Sequence, residues 1–231
     1  MAIVQTTAFD PAVHGFHFRN RFSGLDIVNS VNIGVGSLAE LVSENAPFWK
    51  GWGLCGGMSW MALDNFYADT PTPDLEQVPD RDSDLFHELV DRQIDSFRGV
   101  SLITWCLNWQ SRSEQRPWWD PRNTTWKLTM GHWPVVKQSI DRGRPASLTL
   151  IRTRTNPSDN HQVLAVAYCE DASGMGELEL YDPNHPNKRP TIAIRLTGPE
   201  AGRSAQSTGE PLRGFFTWPY VEDAPSTISP E

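Results

Sequence analysis

Three side chains from distant stretches carry the chemistry that this sequence can do. Cys55 lies in Gly53-Leu54-Cys55-Gly56-Gly57-Met58-Ser59-Trp60-Met61-Ala62-Leu63, a thiol flanked by glycines where an apolar helix is expected to begin. The positive end of a helix dipole and free backbone N–H groups favour thiolate over thiol, and the thiolate is the nucleophile. Gly56 and Gly57 lack a Cβ and are expected to let a substrate backbone approach the sulfur. His161 opens an alternating run, His161-Gln162-Val163-Leu164-Ala165-Val166-Ala167-Tyr168, and is the candidate base. Asp182 closes the next strand-like run, in Leu180-Tyr181-Asp182-Pro183-Asn184-His185-Pro186. The start of one strand in an antiparallel hairpin lies beside the end of the next, so His161 and the 182–184 region are predicted neighbours. Asp182 and Asn184 share parity, and both can face the imidazole. A carboxylate fixes the ring tautomer and offsets its charge, which favours Asp182. Asn184 orients a ring without supplying charge and stays as the substitute.

Each of these residues also has an ordinary explanation. A free cysteine in an apolar helix is usually a small core residue, and Cys106 and Cys169, each inside an apolar segment, read as core. Asp-Pro at a strand end is common turn chemistry. His14 and His17 sit in a strand-like context without a third ligand nearby, so no metal is expected; His132 and His185 read as loop residues. Gly51-Trp52-Gly53 and Gly56-Gly57 match neither nucleotide fingerprint, and Ser59 is not in a nucleophile elbow. No cofactor is expected.

The elements that must position the three residues divide by period. The first half reads as helices: a buried one from Cys55 to Asp69, then a Pro-rich linker at Thr70–Pro73. A second is capped by Ser83 or Asp84 and stopped at Gly99, and a shorter one covers 100–110. Pro134 suits the first turn of a helix running to about Arg142, with Gly143 its stop. Ser111 to Trp126 reads as a long surface loop carrying Trp118, Trp119 and Trp126, a candidate groove wall. The second half reads as strands at 146–152, 161–169, 177–181 and 191–197, with a weaker fifth at 213–220; residues 15–22 alternate as an isolated early strand. Gly198 to Glu210 and the tail at 222–231 look mobile. Helices followed by neighbouring strands point to an α+β fold, a single domain over 1–221 with the helical half packed on a mainly antiparallel sheet.

Composition narrows the partners. Over 231 residues the net charge is −8, spread without a basic stripe, which argues against nucleic acid and anionic membranes. Met1–Thr7 has no signal-like character and no apolar run spans a bilayer, so no membrane insertion is expected. Three widely spaced cysteines make neither a disulfide framework nor a zinc knuckle. A reducing cytoplasm is the default compartment; signal-less export stays open.

The order of nucleophile on a buried helix, base on a strand and acid on the adjoining strand resembles a papain-like cysteine peptidase, closest to the branch of double-glycine leader peptidases of bacteriocin exporters. The carrying blocks are Leu54–Ser59, Ile140-Asp141-Arg142-Gly143-Arg144-Pro145 leading into a strand, His161–Val166 and Leu180–Pro183. They cover about a quarter of the chain. By that resemblance Cys55 is the nucleophile, His161 the general base, Asp182 the orienting carboxylate, and the substrate a peptide or protein. One departure stands out: these enzymes commonly place a glutamine several residues before the cysteine to hold the oxyanion, and Asn45–Trp52 contains none. Trp52, Trp49 or Asn45 are the nearest substitutes as donors. Three functions share this outline: a hydrolase passing through a thioester, an acyltransferase of transglutaminase type, and a non-catalytic binding module.

Overall fold

The computed structural model describes residues 3–22, 53–115 and 123–223. Its strands are β1 (Ile3–Thr6), β2 (Ala146–Ile151), β3 (His161–Glu170), β4 (Met175–Tyr181), β5 (Thr191–Arg195), β6 (Ser204–Gln206) and β7 (Gly214–Thr217). They form one sheet in the order β6-β5-β4-β3-β2-β7, every pairing antiparallel. β1 joins β3 at Ala167–Glu170, continuing the edge that β2 occupies at His161–Ala165. An irregularity between Ala165 and Ala167 shifts the register, so Tyr168 packs in the same cluster as Val163 and Ala165, whereas Leu164 and Val166 join another.

Helices cover both faces of this sheet. The helices are α1 (Pro11–His14), α2 (Cys55–Tyr67), α3 (Asp84–Phe97), α4 (Ser101–Gln110) and α5 (Thr125–Asp141). Trp133, Val136 and Ile140 of α5 pack with Val163, Ala165, Leu178 and Leu180. Ala62 and Leu63 of α2 meet Leu164, Val166 and Tyr181 in a second cluster. A third cluster joins α2, α3 and α4 through Met58, Trp60, Phe86, Leu89 and Trp109. Each fully buried Leu, Met or Phe contributes roughly 1.5–3 kcal/mol, which is what holds an almost entirely buried α2 in place. The architecture is a mixed helix-and-strand one with an antiparallel sheet, as its two periods imply.

Several expectations are corrected. Residues 15–22 form no strand: Phe16 and Phe18 are buried, but the backbone N–H of Phe16 goes to the Tyr181 hydroxyl and that of Asn20 to Pro183 O. Alternating burial without a neighbouring ladder gave the false signal. α5 begins at Thr125, capped by the Thr124 hydroxyl accepting from Lys127 N, and runs through Pro134. Burial of its apolar face offsets a proline penalty of about 3 kcal/mol. Trp126 and His132 are therefore helical, not in a loop, and His132 Nδ1 lies 2.9 Å from Thr217 Oγ1. Within the supposedly mobile 198–210 stretch, β6 pairs with β5 and buries Ser204 and Gln206. Cys106 is core, whereas Cys169 is half-buried. Trp118 and Trp119 lie outside the described residues. No described helix is long and apolar enough to cross a membrane.

Candidate active site

Cys55 is the first residue of α2, and the start of that helix is held from three directions. Asn20 Oδ1 accepts from Leu54 N at 3.1 Å, and Gln93 Oε1 of α3 accepts from Gly57 N at 2.9 Å. Such side-chain acceptors satisfy first-turn N–H groups that have no partner within the helix. The third hold is steric. A Cβ on Gly57 would fall 2.2 Å from Leu89 O, and one on Gly56 would fall 2.3 Å from Ser96 Oγ and 2.5 Å from Gln162 Nε2. The two glycines therefore let α2 close onto α3 and β3. They face protein, not substrate, which corrects the expectation drawn from their position beside the thiol.

His161 opens β3 and Asp182 follows the last residue of β4, as the hairpin predicts. The imidazole Nε2 stands 2.6 Å from Asp182 Oδ1, and both side chains are buried. Its other nitrogen is left for the sulfur, which lines the same cleft and whose charge His161 feels. The backbone N–H of Gln162 also reaches Cys55 Sγ at 3.4 Å. The three residues named by sequence reasoning thus converge: thiol and imidazole line one cleft, and the imidazole is bonded to the carboxylate. Asn184 is not its third member. Its backbone N–H donates to Asp182 Oδ1 at 2.8 Å, while its side-chain Oδ1 accepts from Asn20 Nδ2 at 3.1 Å. Trp52, Trp49 and Asn45 lie outside the described residues.

Charge is distributed as a thiolate–imidazolium pair requires. Burial alone pushes the Cys55 thiol up. The positive His161, its hydrogen bond, the Gln162 N–H and the more distant Arg152 guanidinium outweigh that and hold it below its ordinary value. Burial alone lowers His161, but Asp182 and the Cys55 thiolate raise it to about 9. Asp182, which burial would raise, is held below the usual carboxylate range by His161 and the Asn184 N–H. Its second oxygen, Oδ2, is buried with no hydrogen-bond partner among the described residues. A buried carboxylate so sparsely served depends on the imidazolium charge beside it.

Cys55 is only 7% exposed, but it reaches a cleft of about 410 Å³ also lined by Asn20, Gly53, Arg152, Asn160, His161 and Glu210. A larger cavity of about 780 Å³ runs along Pro73–Leu85 and shares no lining residue with the triad. Size would choose that cavity; the reactive groups choose the smaller one. On the cleft wall Arg152 Nη2 binds Glu210 Oε2 at 2.9 Å, and His185 Nε2 approaches the same oxygen at 3.3 Å. Ligand atoms of Asp182, His185 and Glu210 lie within 4.8 Å of one another. A metal ion there would have to share Asp182 with His161 and Glu210 with Arg152, two positive groups already in place, so the trio reads as part of the ion-pair network.

Asn20 is the residue that sequence reasoning passed over. A lone asparagine in Phe16-His17-Phe18-Arg19-Asn20 carries no local signal; only the fold brings it to Leu54 and Asn184. Compared with protein-family models, curated proteins and solved structures, the chain gives no match.

Proposed function

We propose that this protein is a cysteine-dependent hydrolase of amide or peptide bonds, built on a papain-like plan, with Cys55 as nucleophile, His161 as acid and base, and Asp182 as orienter. The observation that carries the reading is the convergence of a thiol and an imidazole on one cleft, with a buried carboxylate 2.6 Å from the ring. In the resting pair His161 holds the thiol proton. The sulfur attacks the substrate carbonyl carbon, and the C=O electron pair moves onto oxygen. When the pair returns, the C–N bond breaks and the leaving amine takes the proton from His161. A thioester to Cys55 remains. His161 then removes a proton from water, the hydroxide adds to the thioester, and the acid departs as the thiolate re-forms. Asp182 accepts the Nε2–H throughout, keeping the proton-transferring nitrogen toward the sulfur.

The test is the rate of iodoacetamide labelling at Cys55 against pH, followed by peptide mass spectrometry, in wild type and His161→Gln. The expected outcome is a plateau reached well below the ordinary thiol range and lost in the variant. A wild-type profile that climbs only near the free-thiol value would sink the mechanism. Product analysis with and without a primary amine then separates hydrolysis from acyl transfer, which share the same thioester.

A further inference from the structure

We infer that the Asn20 carboxamide is a catalytic oxyanion donor and that Asn184 is the positioning residue that aims it. This inference rests on the thiol-hydrolase reading above and assigns the donor that the Asn45–Trp52 stretch lacks a glutamine to supply.

Hydrogen accounting fixes the carboxamide. Leu54 N–H can only donate, so the atom 3.1 Å from it is the Asn20 oxygen, and the nitrogen is the other end. That nitrogen has two hydrogens. One goes to Asn184 Oδ1 at 3.1 Å; the other has no acceptor among the described residues, and Asn20 lines the cleft together with Cys55. The backbone is tied as well, with Asn20 N donating to Pro183 O at 2.9 Å. The donor is therefore held at backbone, oxygen and nitrogen, beside the peptide that leads into the nucleophile. Gly53 makes the approach possible, because a Cβ there would lie 2.9 Å from Asn20 Nδ2.

An N–H held in advance, with one hydrogen unused among the described residues, is what a developing oxyanion needs. As the Cys55 C–S bond forms, the carbonyl oxygen takes the electron pair. The first-turn N–H of Cys55 supplies one donor and the spare Asn20 hydrogen the second. As the pair returns and the leaving group departs, both bonds relax. Asn184 thereby links the Asp182-Pro183-Asn184 corner to both halves of the site: its backbone serves the Asp182 carboxylate and its side chain serves the oxyanion donor.

The experiment compares two reactions of the same thiol in the full chain. Acylation by p-nitrophenyl acetate passes through a tetrahedral oxyanion; alkylation by iodoacetamide displaces iodide at a saturated carbon and makes none. Both are followed at Cys55, as limiting rates at the pH plateau. Asn20→Ala should slow acylation by a hundred-fold or more while leaving alkylation within about two-fold. Asn20→Asp keeps the acceptor for Leu54 N but lacks the donor, so its acylation should fall too even if Asn20→Ala folds poorly. Asn184→Asp, which keeps an acceptor for Asn20 Nδ2, should retain more acylation than Asn184→Leu. Wild-type acylation in both Asn20 variants, or equal losses in both reactions, would overturn the assignment. An unactivated wild-type thiol would bring down the hydrolase reading itself, and this one with it.

Discussion

Two buried charge clusters hang from α2, and they are finished differently. At its middle, Asp64 accepts from Arg92 Nε at 2.7 Å and Nη2 at 2.8 Å, and from the Tyr220 hydroxyl and Asp223 N. Arg92 in turn donates to Val221 O and lies 5.1 Å over the Trp60 ring. Both carboxylate oxygens are served, and the cluster ties the chain at 220–223 to the helix pair. At its start, the Asp182 carboxylate has one oxygen crowded and one without a partner among the described residues, and its partner imidazole lines a cleft beside a sulfur. Burial is alike in both. The first cluster is closed and serves the fold; the second turns on one proton, whose position the proposed hydrolysis would use.

The sharpest break between them is Cys55→Ser. It should abolish acyl transfer by roughly four orders of magnitude or more while leaving the thermal midpoint nearly unchanged, read by p-nitrophenyl acetate burst and calorimetry. Arg92→Met should do the reverse. Stranding Asp64 without its cation costs about 3–5 kcal/mol of stability, measured by urea unfolding, while alkylation of Cys55 in the folded fraction keeps its pH profile. A large reactivity loss in the Arg92 variant would show that the two clusters are coupled through α2. Gly57→Ala tests the helix that carries both. Its Cβ would meet the Leu89 carbonyl at 2.2 Å, so α2 must move off α3, at a cost of about 1–3 kcal/mol.

The open cluster should also answer to pH through its reactivity. His161 must be charged to protonate a leaving amine, and its pKa is raised to about 9, so amide-bond turnover should fall as pH passes about 9. On the acid side turnover should rise with the lowered Cys55 value, giving a bell for the pair. Asp182→Asn removes the main attraction that overcomes burial of the ring, so the upper limb should move down toward the ordinary 6.5. Stability follows the same sign. A raised imidazole contributes fully below 6.5 and loses its contribution as pH rises through about 9. The wild-type advantage over Asp182→Asn in urea unfolding should fade across that interval, and a constant difference would contradict the pairing.

Much of this was legible because the signals were local. Ser83 before an amphipathic run, Gly99 after it, and the Asp171–Gly176 turn between alternating segments each specify their element, and α3 and the β3–β4 hairpin stand where they point. The hairpin alone brought His161 to the 182–184 region, and the need for a charge beside the ring, not the register, favoured Asp182 over Asn184. What escaped was non-local. Phe16 and Phe18 alternate because they sit over buried rings, not in a ladder; Pro134 is carried inside α5 by the sheet it covers; β6 exists only because β5 is beside it. Gly56 and Gly57 read as substrate-facing because a sequence does not show α3 standing behind them. Asn20 and Asn184 meet only after the whole chain has folded, and a polar contact between such distant residues leaves no periodic trace.

Cys106 supplies the finest comparison, a second thiol close enough to feel the charge of the first. It sits inside α4 at 1% exposure, beside the Asn160 side chain, and burial pushes it up to about 12. Cys55 is nearly as buried, yet the imidazolium moves it the other way. The difference lies in the partner, since an amide can offer a hydrogen bond but no charge. Cys106→Ala should therefore cost only about 1 kcal/mol, from a small vacated volume, in urea unfolding. It should leave the Cys55 alkylation profile in place, and in the native wild type Cys106 should take up no iodoacetamide at about pH 8. Labelling of Cys106 at a rate comparable to Cys55 would mean that access, rather than the His161 charge, governs thiol reactivity in this protein.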